Sequence, residues 1–267
     1  SGHTNGVTEG YKSHEEILQD LRNETQTVFP LGAHMMLGPL EASLLEIIVK
    51  LVEAERILEI GSFTGYSAFS MARGLKNTAT SSILSIDHDK RCQVFHRKYA
   101  KIHPLGHKIR FVLGDAFEIL NKLPEEEKQG GFDVVFIDAD KRAYKKYYTY
   151  LMDNDLIKVG GLLVVDNVLF RGKVAELAAL TPQQRQDLKV QDNEQKDDNE
   201  SKLDENGMPL PLTPEEKRLK KEAKFAKRHR AIAQALDDFN VAISQDVRME
   251  SALLPIRDGL TIARRCK

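Results

Sequence analysis

Arg56-Ile57-Leu58-Glu59-Ile60-Gly61-Ser62-Phe63-Thr64-Gly65 runs from a short apolar segment into a turn bounded by two glycines. An apolar run of this length, stopped by glycine, suits a buried strand over residues 56–60. Helical spacing flanks it on both sides. Residues 39–53 place Leu40, Leu44, Leu45, Ile48 and Leu51 along one face, and residues 66–75 continue the pattern after the turn.

The same alternation extends along the chain. Strands are expected at 82–86, 109–113, 132–137 and 162–165, and helices at 15–28, 91–102, 117–123 and 144–156. Continuous apolar strands separated by helices indicate an α/β, Rossmann-like, mostly parallel sheet with helices on both faces. Residues 247–254 and 259–263, with Pro255 and Asp258-Gly259 between them, read as a closing antiparallel hairpin. In such sheets ligands gather at the carboxyl ends of the strands, so chemistry is expected just after Ile60, Ile86, Leu113, Ile137 and Val165.

Gly61 and Gly65 allow backbone to approach a ligand where a side chain would block it. The spacing departs from the dinucleotide G-x-G-x-x-G, and Glu59 just before the turn would repel a phosphate. A carboxylate there suits the ammonium end of a cationic ligand. Asp87 ends the second strand, where an acid meets ribose hydroxyls, and Asp115 ends the third, where adenine would lie. Together these features point to a bound nucleoside.

The next two strand ends carry oxygen donors. Asp138 and Asp140 follow Ile137, and Asp166-Asn167 follow Val165. With neighbouring strands ~5 Å apart, Asp138, Asp166 and Asn167 can converge on one point. Oxygen ligands without His or Cys select a hard cation: Mg²⁺ first, with Mn²⁺ or Ca²⁺ as alternatives. Lys141 is the basic side chain beside this cluster, and a lysine near a metal can have its pKa lowered and take a proton from a hydroxyl.

Composition sets bounds. The 267 residues suit one domain over 15–267 behind a flexible tail at 1–14, and 41% hydrophobic residues supply a substantial core. A formal net charge of −1 provides no global field toward nucleic acid or an anionic membrane. The basic run Lys217-Arg218, Lys220-Lys221, Lys224, Lys227-Arg228 and Arg230 is interleaved with Glu215, Glu216 and Glu222, as on a solvated helix face. No apolar stretch reaches the ~20 residues of a membrane span. The polar start is not a secretory signal, and Cys92 and Cys266 follow no metal or redox spacing, so a reducing, cytoplasmic location is expected. From about 181 to 222 the chain is rich in Gln, Asp, Asn, Glu and Lys and reads as a polar insertion, mobile or loosely packed, with helical spacing resuming through Phe225 and Ile232.

Taken together, these residues resemble the cation-dependent S-adenosylmethionine O-methyltransferases, the group of catechol and caffeoyl-coenzyme A O-methyltransferases. The likeness rests on Leu58-Glu59-Ile60-Gly61-Ser62-Phe63-Thr64-Gly65-Tyr66-Ser67, Phe136-Ile137-Asp138-Ala139-Asp140-Lys141 and Val165-Asp166-Asn167-Val168-Leu169. Met35-Met36-Leu37-Gly38-Pro39 and Leu254-Pro255-Ile256-Arg257-Asp258-Gly259-Leu260 add to it. The resemblance implies a seven-stranded sheet and an S-adenosylmethionine site at Glu59, Gly61, Ser62, Ser67, Asp87, Asp115, Ala116, Asp138 and Asp140, with Met36 and Leu37 contributing backbone. It implies metal ligation by Asp138, Asp166 and Asn167, Lys141 as catalytic base, a small phenolic acceptor and a homodimer. Phe170-Arg171 stands where plant coenzyme A-ester enzymes carry Trp-Asn, a departure at an acceptor contact. The competing classes are a nicotinamide-dependent oxidoreductase, against which the turn lacks a third glycine, and a non-catalytic nucleoside-binding protein.

Overall fold

A computed structural model of the chain describes residues 12–194 and 213–267. The chain opens with α1 (His14–Val28) and α2 (Pro39–Leu51), followed by β1 (Arg56–Ile60), α3 (Tyr66–Ala72), β2 (Ser82–Asp87) and α4 (Gln93–Ile102). It continues through β3 (Ile109–Leu113), α5 (Ala116–Asn121), α6 (Glu125–Lys128), β4 (Phe132–Ile137), α7 (Tyr144–Asp153) and β5 (Ile157–Asp166). Last come α8 (Lys173–Ala178), α9 (Pro182–Glu194), α10 (Pro214–Gln245), β6 (Met249–Leu254) and β7 (Leu260–Arg265). The seven strands are ordered β3-β2-β1-β4-β5-β7-β6, mostly parallel, with β6 antiparallel to β7. This is the α/β sheet and terminal hairpin that the hydrophobic pattern predicts. Its strand order reverses at β1 and β4, the switch point where such sheets bind ligands.

The chain divides into two compact units, one running to Ala139 and taking in Met152–Val164, the other made of Asp140–Leu151 and Val165–Lys267. In the first unit, β1 and β4 are buried on both faces, with Ile57, Leu58, Val134, Val135, Phe136 and Ile137 fully enclosed. The helix α1 starts at a capping box, in which Ser13 Oγ accepts from the Glu16 N–H at 3.2 Å and Glu16 Oε2 accepts from the Ser13 N–H at 2.7 Å. It then buries Ile17, Leu21 and Thr25, four residues apart, as one stripe. The buried face of α2 differs from the one the spacing suggested. Ala42, Leu45, Ile48 and Val49 face inward, whereas Leu40 is 68% and Leu51 78% exposed. Both sets share helical spacing, and packing against α3 selects the first.

The strand β5 begins five residues before its expected start at 162, because Gly160-Gly161 lies within it instead of breaking it. A Cβ on Gly161 would sit 3.0 Å from the carbonyl oxygens of Phe132 and Asp133, so glycine permits the close approach of β4 here. In the second unit, Tyr144 and Tyr148 of α7 set their rings edge-on to Phe239 of α10, with centroids 5.9 and 6.1 Å away. The Tyr148 hydroxyl donates to Asp246 Oδ2 at 2.7 Å, just past the end of α10.

The expected loose insertion proves helical at both ends. Thr181 and Gln184 form reciprocal bonds that start α9, and Thr213 and Glu216 do the same for α10. Arg185 of α9 pairs with Asp237 of α10 at 2.9 Å. The basic run lies on the exposed first half of α10, as expected for a solvated face. Residues 195–212 and residues 1–11 of the tail expected at 1–14 lie outside the described residues, while Ser13 and His14 of that tail are the cap and first residue of α1.

The first four strands end in register. Ile60 pairs with Ile86 and with Ile137, where both registers end. The Gly61 N–H donates to the Ile86 carbonyl at 2.9 Å, Asp138 N–H to the Ile60 carbonyl at 3.0 Å, and Gly114 N–H to the Asp87 carbonyl at 2.9 Å. Gly61 has φ +93°, and a Cβ there would meet the Asp138 carbonyl oxygen at 2.1 Å. Replacing Gly61 with alanine is therefore expected to cost about 2 kcal/mol or more in urea unfolding, from backbone strain and overlap together. A Gly61→Ala midpoint equal to wild type would contradict this geometry.

Candidate active site

Glu59 lies at the centre of the first unit's strand ends. It is fully buried, and the β1–β2 register sets it directly opposite Ser85. Ser67 Oγ of α3 donates to its Oε1 at 2.5 Å, and Ser85 Oγ donates to its Oε2. Burial pushes this carboxyl up to about 7, the two hydroxyl donors oppose the shift, and the charges of Asp87 and Asp138 add to it. Each oxygen still has a lone pair beyond the hydroxyl it receives. A cation placed beside it would restore the charged form. The sequence places Glu59 against an ammonium group; in the fold its first role is to join α3 to β2.

Asp87 supports the turn. Its Oδ2 accepts from the Ser62 N–H at 3.0 Å and the Phe63 N–H at 2.7 Å, and its Oδ1 accepts from the Asp89 N–H at 2.8 Å. Ser62 is buried, so the turn offers backbone there more than hydroxyl. The gap left by Gly61 is filled by the Asp138 carbonyl, which brings Asp138 against the turn. The glycine thus serves the neighbouring strand end as well as any ligand. Glu59, Gly61, Ser62, Ser67, Asp87 and Asp138 are in this way brought together within one unit.

The remaining candidates of that unit occupy its margins. Asp115 is exposed and caps α5, accepting from the Glu118 N–H at 3.1 Å, while Ala116 is buried at the first helical position. Met36 and Leu37 are both buried, just past a 3₁₀ turn at Ala33–Met35 and before Gly38, whose N–H donates to Glu41 Oε2 at 2.9 Å.

In the second unit, Asp140 begins a 3₁₀ turn at Lys141–Ala143 and accepts from Arg142. Lys141 is half-buried, with its Nζ 6.0 Å from the centroid of the Tyr144 ring. Asp166 is buried, its Oδ1 accepting from the Asn167 N–H at 2.6 Å and its carbonyl from the Tyr144 hydroxyl at 3.1 Å. Asn167 has φ +61°, a left-handed conformation that asparagine tolerates better than most residues. Two adjacent oxygen donors so fixed suit a hard cation. Among the described residues, no three His, Cys, Asp or Glu side chains gather as a metal-holding group. The expected set contains two Asp and one Asn, so that count leaves it untested.

A profile of the O-methyltransferase family matches residues 8–205. The chain belongs to the O-methyltransferase family. Its enzyme class is therefore the transfer of a methyl group from S-adenosylmethionine to oxygen. It is 30% identical over 258 residues to a caffeoyl-CoA O-methyltransferase of Populus kitakamiensis, covering 97% of this chain and 90% of that one. Its fold matches the SAH-bound methyltransferase PaMTH1 of Podospora anserina, with a TM-score of 0.68, 24% identity and coverage of 94% and 88% of the two chains. It also matches the O-methyltransferase TomG of Streptomyces achromogenes, in complex with SAM, with a TM-score of 0.68, 21% identity and coverage of 97% and 93%. Family membership sets aside both the nicotinamide-dependent oxidoreductase and the non-catalytic binding protein.

Two supports of this methyltransferase's turn escape a reading of the sequence. Thr64 Oγ1 donates at 2.9 Å to Thr25 Oγ1 of α1, whose own proton goes to the Leu21 carbonyl, and His96 of α4 reaches the Phe63 carbonyl. Neither lies near the turn in sequence, so no local spacing signals them.

The carboxyl of Glu59 keeps its proton to a higher pH when folded than when unfolded. Its contribution to stability is fully present below about 4.5 and is lost as the pH rises through about 7. Glu59→Gln removes this titration. The stability of wild type relative to Glu59→Gln should fall by about 3 kcal/mol between pH 4.5 and 8, followed by urea unfolding. Parallel pH profiles for the two proteins would contradict the shift.

Proposed function

We propose that the chain methylates a hydroxyl of a catechol-like or caffeoyl-type phenol, and that a divalent cation, Mg²⁺ first, is required. The observation that carries the reading is an all-oxygen donor set at strand ends, Asp138, Asp166 and Asn167, in a member of an O-methyltransferase family. The relative from Populus kitakamiensis bears the name caffeoyl-CoA O-methyltransferase, which supports the acceptor class.

In this reading the turn at 61–65 would hold S-adenosylmethionine, which would supply the methyl group. Glu59 and Ser67 face its amino-acid end, Asp87 its ribose, and Asp115 and Ala116 its base; Met36, Leu37, Ser62 and Asp140 complete the surround. A cation held by Asp138, Asp166 and Asn167 supplies Lewis acidity that favours loss of the acceptor's proton. Lys141 would accept or stabilise that proton at Nζ, and Tyr144 holds the Asp166 backbone in place through its hydroxyl. The enzyme's further task is orientation of two reactants, which accounts for much of the acceleration in such transfers.

A homodimer and a cytoplasmic location belong to the same proposal. Exposed Leu40, Ile47 and Leu51 form an apolar stripe on α2 that supports self-association. Among the described residues no helix is long and apolar enough to cross a membrane.

Turnover of a catechol such as 3,4-dihydroxybenzoate should be abolished by EDTA and restored by Mg²⁺ or Mn²⁺. Full activity in EDTA would exclude the metal. Lys141→Ala should lower kcat by roughly 10²–10⁴-fold with little change in cofactor affinity. An unchanged rate in that variant would remove Lys141 from the chemistry.

A further inference from the structure

Phe63 has φ +45°, a left-handed backbone that a non-glycine residue keeps only when its surroundings hold it there. Groups on both sides do so. Asp87 Oδ2 takes its N–H at 2.7 Å, and His96 Nε2 stands 2.6 Å from its carbonyl oxygen. Since a carbonyl only accepts, that ring nitrogen carries the proton. Ser62 Oγ lies 3.3 Å from the same nitrogen. The turn is thus gripped by a carboxylate at its amides and by an imidazole at its carbonyl.

The environment of His96 leaves the ring little freedom. It is 6% exposed, and it lies flat against Phe111 of β3, with centroids 4.0 Å and planes 13° apart. Burial holds the imidazole below its ordinary value, with the Phe63 bond and the Asp87 charge acting against that shift. An apolar residue at position 96 could fill this space and stack equally well. It would leave the Phe63 carbonyl without a donor, and the left-handed peptide would be held from one side only.

We propose that His96 is a positioning residue for the cofactor turn. Through Nε2–H it fixes the Phe63 peptide, and with it the two amides that orient the Asp87 carboxylate. This rests on the reading of residues 61–65 and Asp87 as the S-adenosylmethionine side of the site. His96 acts through the peptide, so its loss weakens cofactor binding and spares the transfer step.

The test uses the full chain with His96→Phe, which keeps the stack and removes the donor, and His96→Gln, which keeps a donor. S-adenosylhomocysteine affinity is measured by calorimetry, alongside KM for S-adenosylmethionine, kcat at saturating cofactor and the thermal midpoint. His96→Phe should raise Kd and cofactor KM together by about tenfold, the scale of one lost buried hydrogen bond, with kcat within about twofold. His96→Gln should recover most of that loss. If His96→Phe fails to fold, His96→Met, equally without a donor and more adaptable, carries the same comparison. Wild-type affinity in the donor-free variant, or no recovery in His96→Gln, overturns the proposal alone. A wild-type chain that binds no S-adenosylhomocysteine overturns the cofactor reading and the proposal with it.

Discussion

A carboxyl group fully removed from water at the end of the central strand is the constraint around which the rest of the site is arranged. Glu59 is tolerated there because Ser67 and Ser85 donate to its two oxygens, and because it can keep its proton to about pH 7. Those hydroxyls belong to α3 and β2, so satisfying one acid fixes the helix after the turn and the strand beside it. Asp87 and Asp138 then stand close enough to oppose its ionisation. Three acids near one strand end make a poor resting place for a phosphate and a good one for a cation. The methyl donor of this family, a sulfonium with an ammonium group, is such a ligand.

The turn between Gly61 and Gly65 shows how strain is met locally. Gly61 yields its side-chain space to Asp138, and Phe63 accepts a left-handed backbone. Hydrogen bonds from three elements hold the result: Asp87 from β2, Thr25 from α1 and His96 from α4. A loop fixed this way loses little entropy when a ligand arrives, which is the general route to affinity without added contact area.

Much of this was legible in the sequence. Residues 56–60, 109–113 and 132–137 read as strands and are strands to the residue, since short, mostly apolar runs between helices suit the inner strands of an α/β sheet. Glu59, Asp87 and Asp138 declared themselves as acids at strand ends. What escaped depends on partners far away in sequence. The strand expected at 162–165 leaves out Gly160-Gly161, which is part of β5, because the glycines matter through how near β4 runs. His96 gives no local signal for its bond to Phe63, more than thirty residues away. The helices α9 and α10 could have been foreseen: Thr181-Pro182-Gln183-Gln184 and Thr213-Pro214-Glu215-Glu216 are both capping boxes with proline at the first helical position.

Burial pushes the Glu59 carboxyl up to about 7, so a cationic methyl donor bound beside it, as proposed, would favour loss of its proton. Calorimetry of S-adenosylmethionine binding at pH 6, in two buffers of different ionisation enthalpy, measures it directly. The account predicts net proton release in the wild-type chain that disappears in Glu59→Gln. Binding without proton release, or release that survives the substitution, would contradict it.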